Sequence, residues 1–214
     1  NSVNFTLASE ACLSGEDLKK QINSRLSKLQ NLSETELELN KFLVNTFSPL
    51  LEEVDQKFYK YWPSESVNKN LANEKMILSP SDFGLHNALQ TKGNRMVFLD
   101  FDYFGWDDPV KLASDFYWHP AMDLSEELKS YWLKSMINLF KKKDILFEYR
   151  LKAALPLYAI RWVLIILNEF LYKDQKRRQH ARSTEEYNWK EVKQFQLTKA
   201  FILCSSITEY IKNN

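Results

Sequence analysis

A mainly helical fold with a small central β element follows from three features of this 214-residue chain. Glycine is scarce, limited to Gly15, Gly84, Gly93 and Gly105, so tight turns are few. Apolar residues recur at three- and four-residue spacing through most of the chain, as one buried helix face requires. Only Met96-Val97-Phe98-Leu99-Asp100 changes convincingly to strand composition.

Ser14 with Asp17 three residues on is an N-cap with an acidic first turn, opening a helix through Leu29. Ser33 with Glu36 forms a capping box. The long pattern Leu39, Phe42, Leu43, Phe47, Leu50, Leu51, Val54 and Phe58 follows it. Pro49 lies inside that pattern and is expected to kink or interrupt it. Pro63 to Asn70 is polar and reads as a loop. Met76-Ile77-Leu78 and Ala88-Leu89-Gln90 are short apolar runs, and Gly93-Asn94 is a turn signal before the strand. Asp108-Pro109 starts the next helix with a cap and a proline at its first position. Further helices are expected from Glu126 to Phe140, from Ile145 through Lys173 with a break near Pro156, and from Trp189 to Ile211. No internal repeat or linker divides the chain, so a single domain over 1–214 is expected.

Charge narrows the function. Lys plus Arg is 29 against Asp plus Glu 28, which removes any global reason to expect nucleic acid or an acidic membrane as partner. The runs Lys141-Lys142-Lys143 and Lys176-Arg177-Arg178 read as solvated helix ends. Two cysteines, Cys12 and Cys204, support no disulfide scaffold and point to a cytoplasmic setting. The three histidines, His86, His119 and His180, are too scattered to spell a zinc site. Sequons at Asn4 and Asn31 stand alone, without a secretory leader. Ala153 to Leu171 is apolar, but it carries Pro156, Arg161 and Glu169 and reads as a buried helix of a soluble protein.

The chemistry lies between Leu78 and Asp115. Asp82 and Asn87 stand five residues apart in a polar loop between two short strands, and Asp100 ends the next strand. Phosphoryl transfer needs this set: one carboxylate to orient the acceptor hydroxyl and take its proton, then an amide oxygen and a second carboxylate to hold magnesium against the ATP phosphates.

On these residues the chain resembles the aminoglycoside phosphotransferase and choline kinase family, relatives of protein kinases. Asp82 and Asn87 match its catalytic loop, Asp100-Phe101-Asp102 its magnesium loop, and Gly105-Trp106-Asp107-Asp108-Pro109 its Gly-x-x-Asp-Pro. The motifs span Leu78 to Asp115, and the helical order extends the likeness over most of the chain. The resemblance implies the C-terminal lobe of a protein-kinase-like fold without its N-terminal lobe. Residues 1–75 would be the helices after the hinge, 76–108 the catalytic and magnesium loops, and 109–214 a helical substrate subdomain. It implies ATP and Mg2+ as cofactors, Asp82 as catalytic base, and Asn87, Asp100 and Asp102 as the metal and nucleotide ligands. The partner would be a small-molecule hydroxyl acceptor such as a sugar, amino alcohol or aminoglycoside, with neither nucleic acid nor membrane involved.

Two departures qualify the match. Pro80 stands where the family usually has a loop-supporting His, two residues before the catalytic Asp. Nothing in residues 1–75 has the strands, glycine-rich turn or strand lysine of a nucleotide lobe, so the fragment alone is expected to bind ATP poorly and to transfer phosphate negligibly. A non-catalytic kinase-like scaffold, a pseudokinase binding a protein partner, is the alternative. Asp82-Phe83-Gly84 also spells the protein-kinase magnesium motif, but Gln56 to Asn70 offers no upstream Asp and no Ala-Pro-Glu follows. Among the neighbours, Asp108 reads as a helix cap and Asp115 as a structural partner or loop support. His86 reads as packed or solvated, with loop support or substrate contact as the alternative, and Arg161 as one half of an ion pair, with contact to an anionic substrate as the alternative. Trp106, Trp118 and His119 are the candidates to line an acceptor pocket.

Overall fold

The computed structural model describes residues 4–32, 35–171 and 188–213. Ser33 of the expected capping box, Lys173, the run Lys176-Arg177-Arg178 and His180 lie outside them. Helices dominate, with two small two-stranded antiparallel sheets. The chain forms two compact units: residues up to Leu18 with Phe58–Tyr158, and Lys19–Lys57 with Ala159 onward.

In the first unit, helix α1 (Gly15–Gln30) starts as its sequence requires. Ser14 Oγ accepts the Asp17 N–H at 3.1 Å, and the Asp17 carboxylate accepts that of Leu13 at 3.3 Å. Strand β1 (Ile77–Ser79) is followed by the hairpin of β2 (Ala88–Gln90) and β3 (Met96–Phe98), then by β4 (Gly105–Asp107), which returns to pair with β1. Asn94, at φ 59°, takes the left-handed position in the hairpin turn. The N-terminal segment adds to β4: Trp106 N–H donates to Thr6 C=O, and Ala8 N–H to Trp106 C=O. A Cβ at Gly105 would stand 2.5 Å from the Ala8 nitrogen, so only glycine admits this approach.

Helices α4 (Pro109–Trp118), α5 (Glu126–Phe140) and the first part of α6 (Phe147–Ile166) belong to this unit, and α2 (Leu37–Phe42), most of α3 (Ser48–Tyr61) and α7 (Trp189–Asn213) to the second. Asp108 caps α4 by accepting the Val110 N–H at 2.8 Å, with Pro109 at the first position as expected. Ser125 caps α5 through Leu128 N–H. Arg150, buried on α6, is held between Asp108 and Asp144. Lys75 completes the cluster at 3.0 Å from Asp144.

In the second unit, α2 runs into a π-helical stretch, Leu43–Phe47, and on into α3. Ser48 N–H donates back five residues to Leu43 C=O, just ahead of Pro49. The expected interruption is thus one wide turn that accommodates the proline ring without ending the helix. Glu36 is the N-cap residue of α2, but its side chain makes no capping bond and pairs with Lys193. Phe42 packs edge-on against Phe201 of α7, ring centroids 4.7 Å apart. Buried Arg161 donates to Gln21 at 3.1 Å.

Pro156 corrects the expectation of a break, because α6 is continuous from Phe147 to Ile166. The carbonyl that loses its helical partner belongs to Lys152, an exposed position where water can replace the N–H. Phe147–Phe170 is long and apolar enough to cross a membrane, yet 78% of its apolar window is buried inside the protein. Burial pushes the Cys204 thiol up to about 12, so it packs as an inert core residue.

The Arg150 cluster sets a stability prediction. Asp108→Ala removes the α4 cap and leaves a buried guanidinium half-paired, and is expected to cost about 3–5 kcal/mol in urea unfolding. Asp108→Asn keeps an acceptor for Val110 N–H and should be milder by about 1 kcal/mol.

Candidate active site

The loop from Pro80 to Asn87 is built around the Asp82 side chain. Ser79 ends β1 and accepts the Ser81 N–H on its Oγ at 3.1 Å. Ser81 takes the left-handed conformation, φ 66°, and turns the chain into Asp82. Phe83 anchors the loop in an aromatic stack, 4.7 Å from the Phe98 ring and 5.8 Å from Phe116, with Trp132 behind. Gly84 is extended, so its requirement is space: a Cβ there would meet His86 Nδ1 at 2.5 Å and Met122 Sδ at 2.8 Å.

Asp82 and Asn87, paired by sequence, meet in the structure. Asn87 Nδ2 donates to the Asp82 carbonyl at 2.9 Å and lies 3.3 Å from its Oδ2. The amide nitrogen is thereby spent, which leaves Oδ1 as the Asn87 atom free to ligate. Leu99 N–H donates to Asn87 C=O at 2.8 Å, extending the β2–β3 register. Asp100 is therefore one residue removed from the position facing Asn87. It too is left-handed, φ 60°, and both it and Asp102 are exposed. Among the described residues neither carboxylate has a hydrogen bond or ion pair.

Two histidines complete the loop: His119, expected at an acceptor pocket, and His86, expected as a packed or solvated neighbour, both reach Asp82. His86 Nε2 lies 3.2 Å and His119 Nε2 3.4 Å from Asp82 Oδ1, and the two rings stack with centroids 3.9 Å apart and planes within 11°. The imidazole of His119 foremost, with that of His86, outweighs partial burial and holds the Asp82 carboxyl at about 2. The side chain remains 37% exposed, open to a substrate. The three ligating atoms lie within 4.8 Å of one another, the spacing of a metal site. Ring geometry argues against one. Imidazole nitrogens bind metal in the ring plane, and two nearly parallel, stacked planes share no such point. Magnesium suits the hard oxygens of Asn87, Asp100 and Asp102 instead.

The remaining carboxylates are structural. Lys111, buried on α4, lies 3.4 Å from Asp107 Oδ2 and 3.2 Å from Asp115 Oδ2, and its Nζ donates to Ser81 Oγ at 3.0 Å. The paired Asp115 thus reaches the loop through a lysine. Asp107 also accepts the N–H groups of Cys12 and Asp108. Burial nevertheless pushes its carboxyl up to about 6, against the pull of Lys111 and those donors. The i, i+4 series Asp107, Lys111, Asp115 was a legible signal for this cluster. Of the expected pocket aromatics only His119 reaches Asp82. Trp118 is buried, and Trp106 lines a separate cleft of about 560 Å³ with Phe5, Leu7 and Met76.

No family model, curated protein or solved structure matches this chain. The functional argument therefore rests on the site alone.

The two shifted carboxyls act on stability with opposite signs. The native state holds fewer protons at Asp82 than the unfolded chain, so that contribution is complete above the ordinary 3.8 and is lost as pH falls toward about 2. At Asp107 the native state keeps a proton that the unfolded chain has lost, so stability falls as pH rises from 3.8 to about 6. Urea midpoints measured across both windows should lose the acid slope in Asp82→Asn and the second slope in Asp107→Asn.

Proposed function

We propose that this chain is the helical catalytic lobe of an ATP-dependent phosphotransferase of the aminoglycoside phosphotransferase and choline kinase type, acting on a hydroxyl of a small polar molecule. The observation that carries the reading is the Asp82–Asn87 amide bond, which spends the Asn87 nitrogen and presents its oxygen. The Leu99–Asn87 backbone bond brings the strand-end Asp100 alongside. Left-handed backbone at both Ser81 and Asp100 supports it, since strain of this kind concentrates where geometry is held for function.

In this reading Asn87 Oδ1, Asp100 and Asp102 would hold Mg2+, and the ion would supply charge neutralisation to the ATP phosphates. Asp82 orients the acceptor. The hydroxyl oxygen bonds to the γ-phosphorus, the bond to the β–γ bridging oxygen breaks with its electron pair leaving on ADP, and the hydroxyl proton passes to Asp82. A carboxyl titrating near 2 is ionised throughout the neutral range, ready to accept a hydrogen bond. The proposal assigns to this chain the catalytic-loop and metal-loop residues alone, since residues 1–75 offer no counterpart to the family's glycine-rich turn and strand lysine.

A second reading, a kinase-like scaffold binding a protein, is favoured by exposed apolar side chains on and beyond the hairpin: Leu89, Met96, Val97, Leu99 and Phe101. Calorimetry separates the two. Full-length protein should bind MgATP, and Asp100→Asn should abolish that binding. Asp82→Asn should keep it while lowering the rate of transfer by about 10²–10⁴-fold. A folded wild-type protein that binds no MgATP would leave the scaffold.

A further inference from the structure

Asp82 is gripped from outside its own loop. His119 follows the last residue of α4 and belongs to the helix end. Its Nδ1 accepts the Ala121 N–H at 3.1 Å, so the neutral ring carries its proton on Nε2, the nitrogen 3.4 Å from Asp82 Oδ1. His86 approaches the same oxygen but lies four residues along the same loop, so it moves with Asp82 and cannot locate it. Lys111, on the same helix as His119, fixes the preceding residue through Ser81 Oγ. The ionisable groups against this carboxylate are thus His86 from the loop and His119 from the helix end, with Lys111 one residue away. Both imidazoles meet at Oδ1, whereas among the described residues Oδ2 receives only the long contact from Asn87.

We propose that His119 is a positioning residue for the phosphotransferase reaction, pinning Asp82 Oδ1 to helix α4 so that Oδ2 faces the acceptor hydroxyl. The proposal rests on the phosphotransferase reading. It places in α4 the support for which the sequence offers only Pro80 on the loop itself. In the step, the acceptor oxygen bonds to the γ-phosphorus, ADP leaves with the electron pair of the broken P–O bond, and the acceptor proton moves to Oδ2. His119 keeps its own proton and touches neither nucleotide nor acceptor.

The test uses the full-length gene product with MgATP and with water as the acceptor probe. His119→Leu should lower kcat for ATP hydrolysis by about 10- to 100-fold while leaving the KM for MgATP unchanged, as expected for a displaced but intact reacting group. His119→Gln, whose amide N–H can stand where Nε2 stood, should restore kcat to within a few-fold of wild type. In parallel, the Asp82 carboxyl carbon is titrated by NMR, and its midpoint should rise in His119→Leu. Unchanged kcat or an unmoved midpoint in His119→Leu overturns the proposal. Equal losses in both variants with a raised KM also overturn it, because they indicate a binding or folding role. A wild-type protein that hydrolyses no ATP, while His119→Leu still moves the midpoint, overturns the phosphotransferase reading. It takes the catalytic meaning of His119 with it, and is distinguishable from the other failures.

Discussion

Burying the Lys111 ammonium without partners would cost several kcal/mol, and the arrangement that avoids this cost shapes the Asp82 loop. Asp107 at the end of β4 and Asp115 one turn along α4 flank the charge, and its remaining donor goes to Ser81. Ser81 must then sit where the hydroxyl can be reached, and it does so in a left-handed conformation that a non-glycine residue adopts only when its surroundings impose it. The next residue is Asp82. A buried lysine thus ties strand, helix and loop together at the point where the exposed carboxylate begins.

The same logic sorts the acidic stretch that follows β3. Asp107 and Asp108 are buried, and each is held by a cation from a helix: Lys111 on α4 for one, Arg150 on α6 for the other. Asp100 and Asp102 are exposed, and among the described residues they have no cation or donor. Burial demands compensation, so the compensated carboxylates are committed to structure, and the uncompensated ones retain free oxygens. Sequence proximity alone does not make this division. Asp100, Asp102, Asp107 and Asp108 lie within nine positions, and only the fold separates the exposed carboxylates from parts of the scaffold.

What was legible in the sequence is what local chemistry decides. Asp108-Pro109 announced its helix, Ser14 with Asp17 announced α1, and α5 has the bounds its pattern indicated. The strands around Asp82 and Asn87 were readable from short apolar runs. Proline misled at Pro156, which sits in an unbroken buried helix because tertiary packing overrides local propensity, whereas the interruption expected at Pro49 takes the form of the π turn that precedes it. The ion pairs were illegible for a different reason. Arg150 finds Asp108 from 42 residues away and Lys75 finds Asp144 from 69, and no spacing rule operates at that range. The contact of His119 with Asp82 is of the same kind: the histidine was expected near an acceptor pocket, but its approach to a carboxylate 37 positions earlier arises only on folding.

The low pKa of Asp82 bears on what such a carboxylate can contribute. Held at about 2 by the imidazole of His119, with that of His86, the Asp82 carboxylate is a weak base. In a loose phosphoryl-transfer transition state, however, the nucleophile carries little positive charge until late, so early proton removal contributes little. Orientation contributes more, because aligning the attacking oxygen with the γ-phosphorus replaces an entropic cost that free reactants would meet at the barrier. A carboxylate held ionised at one oxygen and open at the other suits that role better than a free carboxylate of ordinary pKa, which would rotate between hydrogen-bond partners. In the proposed phosphotransferase, the clasp that makes Asp82 a weaker base is what makes it a better guide for an incoming hydroxyl.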